Sequence, residues 1–155
     1  MNASFDFSGR TVLVTGAGGS IGAELCRQVA ARSPARLILL DQCEVLLYQA
    51  EQELISAGAG ALITPIVGDV TDVDRMRDVF VRFKPELVLH AAAHKHVPMM
   101  ESQPAEALKN NVLGTEVVAR LAAEFGAAKF VLISSDKAVN PTNVMGASKR
   151  LAEMV

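Results

Sequence analysis

Short apolar segments alternate along the chain with longer segments in which apolar and polar residues are mixed. Each apolar run has the length and the β-branched or aliphatic content of a buried strand, and turn-forming residues separate it from the next segment. These runs predict five strands, at residues 11–15, 36–40, 61–67, 86–90 and 129–134.

The segments between the strands carry the spacing and the end signals of helices. In the first of them Ile21, Leu25 and Val29 recur at helical intervals, and Thr71 or Asp72 is placed to cap the third. Helices are predicted at residues 20–32, 44–57, from 71 or 72 to 83, 104–125, and from about Pro141 to the last residue.

Regular alternation of five strands with five helices is typical of βαβ units and of a parallel sheet covered on both faces. Because crossovers are right-handed, we expect a doubly wound, Rossmann-like α/β domain with strand order 3-2-1-4-5. The sequence shows no linker, so one domain over residues 1–155 is predicted. Ligands of such sheets bind beyond the carboxyl ends of the strands.

Composition and charge exclude several classes of protein. Half of the 155 residues are hydrophobic and 21% are charged, as in a folded domain, and the net charge of -2 argues against a nucleic-acid binder. The sequence shows no apolar run of membrane-spanning length and no signal-peptide core, so a soluble, cytoplasmic protein is expected. Cys26 and Cys43 lack metal-ligand spacing and are expected to stay reduced.

The turn after the first strand is rich in glycine and opens a helix. The spacing G-x-x-G-x-x-G is a looser relative of the strict dinucleotide fingerprint. Such glycines make a tight turn and let the backbone approach a pyrophosphate, which the helix N-terminus attracts. An NAD(P) site is therefore predicted, although a turn that binds nothing is the alternative. Its residues in this segment are Thr15, Gly16, Gly18, Gly19, Ser20, Ile21 and Gly22.

Two aspartates follow the second and third strands. Asp41 is placed to accept hydrogen bonds from both adenosine ribose hydroxyls, and its charge repels a 2′-phosphate, which favours NAD over NADP. The alternative is a simple cap of the next helix. Asp69, beside Val70, is predicted to accept a hydrogen bond from the adenine amino group, with an ordinary turn aspartate as the alternative.

Four segments resemble a known family. They are TGAGGSIG at 15–22, GDVTD at 68–72, HAAAHKHVP at 90–98 and SSDKAVNPTNVMGASK at 134–149. Together they resemble the extended short-chain dehydrogenase/reductase superfamily, and the last is similar to CapD-like nucleotide-sugar 4,6-dehydratases of polysaccharide biosynthesis. The resemblance covers residues 7–155. It implies a bound NAD(P) and a UDP-N-acetylhexosamine substrate. It also implies a cycle in which hydride leaves carbon 4, water is lost across carbons 5 and 6, and the hydride returns to carbon 6.

The superfamily's usual Tyr-x-x-x-Lys pair is altered here, because Met145 precedes Lys149 and a thioether has no proton to transfer. Either the chain is a purely binding relative, or the Ser-Asp-Lys sequence after the fifth strand takes over the proton transfers. Met at this position is also found in the membrane-anchored dehydratases that the chain resembles, which favours the second. By resemblance, Ser135 would bond the oxygen on carbon 4, Asp136 would protonate the departing 6-hydroxyl, and Lys137 would deprotonate carbon 5. Lys149 would contact the nicotinamide ribose, and Asp136 would need a raised pKa in a closed pocket.

Further site residues are expected after the fourth strand. Ala91, Ala92 and Ala93 are small enough for a backbone that lies against the cofactor, and Lys95 is expected near phosphate or sugar. Asn111 is expected to support the site through a water or backbone contact, with an ordinary helix polar residue as the alternative. Three histidines between residues 90 and 96 lack a nearby set of cysteines or carboxylates, so no metal site is predicted.

Two other functions stay open at this point: a nucleotide-sugar epimerase and a non-catalytic dinucleotide-binding module. The resemblance also implies that the chain is a cofactor-binding domain truncated before a substrate-binding part. The sheet edge thereby exposed favours self-association, so a homo-oligomer is a possible state.

Overall fold

The computed structural model describes residues 6–155, which form one five-stranded sheet flanked by helices. The strands are β1 (Thr11–Thr15), β2 (Arg36–Asp41), β3 (Ile63–Val67), β4 (Leu87–His90) and β5 (Lys129–Leu132). The α-helices are α1 (Ser20–Ala30), α2 (Glu44–Ser56), α3 (Val73–Phe83), α4 (Val97–Ser102), α5 (Pro104–Ala107), α6 (Gly114–Glu124) and α7 (Val144–Ala152). A π-helical segment, Leu108–Leu113, joins α5 to α6, and a 3₁₀ turn, Asp136–Ala138, follows β5.

The strands are parallel and lie in the order β3-β2-β1-β4-β5. The predicted doubly wound sheet and its strand order are therefore confirmed. β1 is the central strand, and its last residue, Thr15, lies beside Leu40 of β2 and His90 of β4. The segments that follow β1, β2 and β4 consequently emerge side by side at one edge of the sheet.

Alternate residues of each strand enter the cores on the two faces of the sheet. Val12, Val14, Leu37 and Leu39 pack with α1 and α2, whereas Leu13, on the opposite face, belongs to a second cluster with α3 and α6. Fully burying such a side chain contributes about 1.5–3 kcal/mol, so the two-faced core fixes the register of the sheet.

Helix α1 differs from its prediction in length and in orientation. It ends at Ala30 rather than at residue 32, because the Arg32 N–H turns back to the carbonyl of Val29. Its buried residues are Gly22, Cys26 and Val29, whereas Ile21 is 57% exposed. The predicted apolar face was thus wrong by one residue at its start, because the helix touches the sheet through a glycine.

The single long helix predicted over residues 104–125 is broken into α5, the π-helical segment and α6, and α4 precedes it unpredicted. The break between α4 and α5 falls at Gln103, whose backbone is not helical (φ -137°), because the residue before a proline is disfavoured in the helical region. The π turn inserts one extra residue, so the apolar periodicity of α6 does not continue that of α5.

The last helix begins later than Pro141 suggested. Asn143 is the N-cap of α7, and its side chain accepts a hydrogen bond from the Gly146 N–H. Helix α7 also ends at Ala152, three residues before its predicted end. Other element ends differ from the predicted ones by one or two residues, as expected where ends fray. Among them, Asp72 rather than Thr71 caps α3, since it accepts from the Arg75 N–H.

Candidate active site

The glycine turn after β1 contains glycines that could not be replaced by a residue with a side chain. Gly16 has a left-handed φ of 68°, and a Cβ there would lie 2.7 Å from the Ala92 nitrogen. A Cβ on Gly22 would overlap the carbonyl oxygen of Gly16. These two glycines therefore let the turn pack directly on α1 and on the segment after β4.

Helix α1 opens towards a cavity of about 130 Å³ at the carboxyl edge of the sheet. Gly19 is the N-cap and supplies no side chain to the first turn, which contains no acidic residue. The free N–H groups and the positive end of the helix dipole therefore favour an anion. The cavity is lined by residues at or after the carboxyl ends of β1, β2, β3 and β4 and by one residue of the π-helical segment. Among them are Gly16, Gly19, Asp41, Asp69, Val70, Ala91, Ala92, Ala93 and Asn110.

Asp41 is nearly buried and braces the cavity wall. Its two carboxylate oxygens accept hydrogen bonds from the Gly18 and Cys43 N–H groups, each at 2.9 Å. Cys43 is the N-cap of α2, which has no side-chain cap bond, so Asp41 contacts the residue that precedes the helix rather than capping its first turn. Asp41 also holds the glycine turn, a role the sequence did not suggest. Because each oxygen keeps a free lone pair, the bond to ribose stays a prediction.

Asp69 combines a turn role with a place in the cavity wall. Its Oδ1 accepts from both the backbone N–H and the hydroxyl of Thr71, each at 2.8 Å. Beside it, Val70 is buried and lines the cavity. The predicted contact with adenine therefore stays a prediction.

Asn111 supports the segment after β4 through the backbone. Its Oδ1 accepts from the His94 N–H at 2.7 Å, and its Nδ2 donates to the His94 carbonyl at 3.0 Å and to the Ser148 hydroxyl at 2.9 Å. Asn111 does not line the cavity, but its neighbour Asn110 does. Asn110 was not among the predicted site residues, because two successive residues of an α-helix are not expected to face the same site.

A second cavity, of about 280 Å³, adjoins the first. Ala91 and Ala93 border both cavities, so they form a shared wall. The second cavity is also lined by Ile21, His94, Lys95, Ile133, Ser134, Ser135, Lys137, Met145 and Lys149. The structure thus brings the predicted site residues Ser135, Lys137, Met145 and Lys149 together beside the glycine turn, whereas Asp136 does not line this cavity.

The buried end of this cavity is formed by α7. Lys149 donates from Nζ to the Ile133 carbonyl at 2.6 Å, and burial lowers the pKa of its ammonium, opposed in part by the charge of Glu153. Met145 is 3% exposed and packs with Met100 and Ala107 in a small apolar cluster.

Two contacts fix the N-terminus of α7 in this position. Glu101 accepts from the Val144 N–H at 2.7 Å and so ties α4 to α7. A Cβ on Gly146 would overlap the Lys137 carbonyl oxygen, so this glycine lets α7 pack against the 3₁₀ turn.

Asp136 departs from its expected state. Its side chain is exposed, and it accepts hydrogen bonds from the Ser135 hydroxyl at 3.1 Å and from the Lys137 N–H at 2.9 Å. These bonds and the positive charge of Lys137 lower the pKa of this carboxyl. The expected raised pKa is therefore wrong for the chain as it stands, because no closed pocket surrounds the group.

His90 is a central residue that the sequence analysis considered only as a metal ligand. It is fully buried at the end of β4, where Nδ1 lies 2.6 Å from the Thr15 hydroxyl and Nε2 lies 3.1 Å from the Thr115 hydroxyl. Burial, with a smaller contribution from Lys149, lowers its pKa to about 3. In the sequence, the one sign of this buried role was a polar residue at the end of an apolar strand.

Within residues 6–155 the structure brings no three histidine, cysteine or acidic side chains together as metal ligands. In the same part of the chain, no helix has the length and hydropathy needed to span a bilayer.

Strand order, glycine turn and cavity position define a Rossmann-type α/β domain. Residues 12–155 match the family model described as polysaccharide biosynthesis protein. The chain therefore belongs to that family, and the predicted resemblance is confirmed.

Three similar proteins illustrate the range of this group. The chain is 52% identical over 153 residues to the capsular polysaccharide biosynthesis protein CapD of Staphylococcus aureus, a match that covers 98% of this chain and 26% of CapD. It is 34% identical over 148 residues to an inverting UDP-N-acetylglucosamine 4,6-dehydratase of Campylobacter jejuni, covering 92% of this chain and 41% of that protein. The crystal structure of UDP-glucose 4-epimerase from Bifidobacterium longum in complex with NAD+ and UDP superposes with a TM-score of 0.81 at 26% identity, covering 93% of this chain and 47% of that one. The chain thus spans a quarter to a half of the length of these relatives.

Proposed function

We propose that the chain supplies the cofactor-binding part of an NAD-dependent 4,6-dehydratase that acts on a UDP-N-acetylhexosamine. The observation that carries this proposal is the shared wall of Ala91 and Ala93. One side of that wall faces the glycine turn, and the other faces Ser135, Lys137 and Lys149. A dinucleotide that starts at the turn and passes the wall therefore ends beside reactive side chains.

The residues present fit NAD. The Gly16–Gly22 turn is a cradle in which a Cβ would clash at Gly16, Gly18 and Gly22, and its amide groups and helix end would hold the diphosphate. Asp41 would bind the adenosine ribose, and its carboxylate disfavours the extra phosphate of NADP. Asp69, Val70 and Asn110 would border the adenine side, since they line the same cavity.

Bound in this way, NAD would accept a hydride from carbon 4 of the sugar and return it to carbon 6. Ser135 would hold the oxygen on carbon 4 by a hydrogen bond, and Lys137 would take the proton from carbon 5. Through the Ser135 hydroxyl, Asp136 would take the 4-hydroxyl proton as the hydride leaves and would then donate it to the 6-hydroxyl, which departs as water. Lys137 would return its proton to carbon 5 when the hydride reaches carbon 6. Lys149, anchored on the Ile133 carbonyl, would stabilise negative charge that develops next to the nicotinamide ribose.

The acid role of Asp136 requires that the site be covered. In the exposed state Ser135 and Lys137 hold the carboxyl ionised, because both stabilise its charged form. Removal of water by a bound nucleotide sugar would weaken that preference and raise the pKa of Asp136. General acid catalysis by Asp136 would therefore take place only in the complex with substrate.

Calorimetric titration of the chain with NAD and with NADP tests the cofactor assignment. We expect NAD to bind more tightly, and an Asp41→Asn variant to lose much of that preference. Tighter binding of NADP would contradict the role given to Asp41. If neither nucleotide binds, the cofactor assignment fails.

Grafting tests the chemistry. Residues 12–155 would replace the matching segment of the Campylobacter jejuni dehydratase, and the products from UDP-N-acetylglucosamine would be analysed by mass spectrometry. A product lighter by one water supports the dehydratase, and a Lys137→Ala graft should abolish it. Unchanged mass with an inverted stereocentre would favour the alternative, an epimerase, which the likeness to the Bifidobacterium longum enzyme makes worth testing. No conversion by a graft that binds NAD would favour a binding module.

A further inference from the structure

A continuous line of buried hydrogen bonds links the ends of β1 and β4 to the π-helical segment. It runs from Thr15 through His90 and Thr115 to the carbonyl of Asn111, and all four residues are at most 2% exposed. The line thus joins the last residue before the glycine turn to the π-helical segment, two elements far apart in sequence.

The direction of each bond in this line follows from the one at its end. The Thr115 hydroxyl donates its single proton to the Asn111 carbonyl at 2.6 Å. Its oxygen must then accept from His90 Nε2, so the imidazole carries its proton there. Nδ1 is consequently an acceptor, and the Thr15 hydroxyl donates to it.

Each end of the line sets the position of a cavity wall. Thr15 precedes Gly16, whose Cα lies against the backbone of Ala91 and Ala92. At the other end, the carbonyl that Thr115 binds belongs to Asn111, whose side chain clamps the backbone of His94. A shift of the imidazole would therefore move both the glycine turn and the backbone at His94.

We propose that His90 is a positioning residue for dinucleotide binding: its neutral ring holds the glycine turn and the π-helical segment at the separation that lets both border one cavity. This inference rests on the proposed NAD site. His90 itself does not line either cavity, so the ring acts through Thr15 and Thr115 rather than by contact with the cofactor.

Calorimetric titration with NAD of four variants tests the inference. His90→Phe keeps an aromatic ring against Phe130 but removes both polar atoms, and Thr115→Val removes the hydroxyl. We expect each to raise the NAD dissociation constant about tenfold, and Thr115→Ser to bind within about twofold of the parent chain. Val79→Ala, in the core away from both cavities, is the control for general loss of stability.

Amide hydrogen exchange of the free chain provides a second readout that does not depend on NAD. His90→Phe and Thr115→Val should speed exchange jointly in the glycine turn and at residues 91–94, whereas Val79→Ala should not. Parent-like dissociation constants in both variants would overturn the inference. If the parent chain fails to bind NAD, the proposed function fails, and exchange that stays slow in the variants would still overturn the coupling.

Nitrogen-15 NMR of the imidazole tests the bond directions by themselves. The expected signals are those of a neutral ring protonated at Nε2. A ring protonated at Nδ1, or a cation at neutral pH, would contradict the arrangement.

Discussion

The buried imidazole of His90 should make the stability of the domain depend on pH above the range in which carboxylates titrate. In the folded chain burial lowers the pKa of His90 from 6.5 to about 3. In the unfolded chain the ring is solvated and takes up a proton near pH 6.5. Between these two values the unfolded state binds one more proton than the folded state, so stability is complete above pH 6.5 and is lost as the pH falls.

The size of the effect follows from the same two values. Between pH 7 and pH 5 the folded ring stays neutral while the unfolded ring becomes almost fully charged, which lowers the free energy of unfolding by about 2 kcal/mol. For a domain whose total stability is of the order of 5–15 kcal/mol, such a loss is large.

Urea unfolding followed by circular dichroism at pH 7, 6 and 5 measures this loss. His90→Gln removes the titrating group and should flatten the dependence, whatever its own stability at pH 7. His96→Gln is the matched control, since His96 is exposed, and it should keep the slope of the parent chain. If the parent chain and His90→Gln lost stability in parallel, the ring would titrate alike in both states, and the argument from burial would be refuted.

Three further substitutions test local packing. Gly22→Ala should abolish NAD binding and cost about 1–3 kcal/mol, because its methyl group would overlap the Gly16 carbonyl, while Gly60→Ala, where a Cβ makes only ordinary contacts, should leave binding intact. Asp72→Ala removes the N-cap of α3 and should lower the free energy of unfolding by about 1 kcal/mol in urea, without effect on the NAD titration. Gly146→Ala should push α7 away from the 3₁₀ turn and lower the free energy of unfolding by about 1–3 kcal/mol, which the midpoint of urea unfolding would detect. An unchanged midpoint would show that the 3₁₀ turn can move aside without loss of stability.

The sheet could be predicted because its determinants are local. The runs that became β1 and β2 are apolar on both faces, as parallel strands must be, and the strand order follows from general rules of connection. The glycine turn was equally accessible, since only glycine fits a positive φ with a backbone packed against it, as at Gly16.

The π-helical segment shows what local patterns miss. Within it Asn110 faces the cavity and Asn111 contacts the segment after β4, and the extra residue of the turn shifts the register of the helix that follows. The Asn111 carbonyl in this segment accepts a hydrogen bond from Thr115, which in turn contacts His90, a residue outside residues 104–125. No periodicity within residues 104–125 contains that information.

The packing of Met145 explains how the site can have a methionine where the superfamily usually has a tyrosine and still place the charge of Lys149 in the second cavity. The thioether lies in an apolar cluster with Met100, so it anchors α7 by packing and has no proton to transfer. Lys149, one turn further on, takes its position from the Ile133 carbonyl and therefore does not need a phenol to orient it. Proton transfer in the proposed dehydratase is thereby left to Lys137, which lines the cavity, and to the exposed Asp136 beside it. Since Ser135 and Lys137 hold that aspartate ionised, substrate binding has to supply the desolvation that raises its pKa.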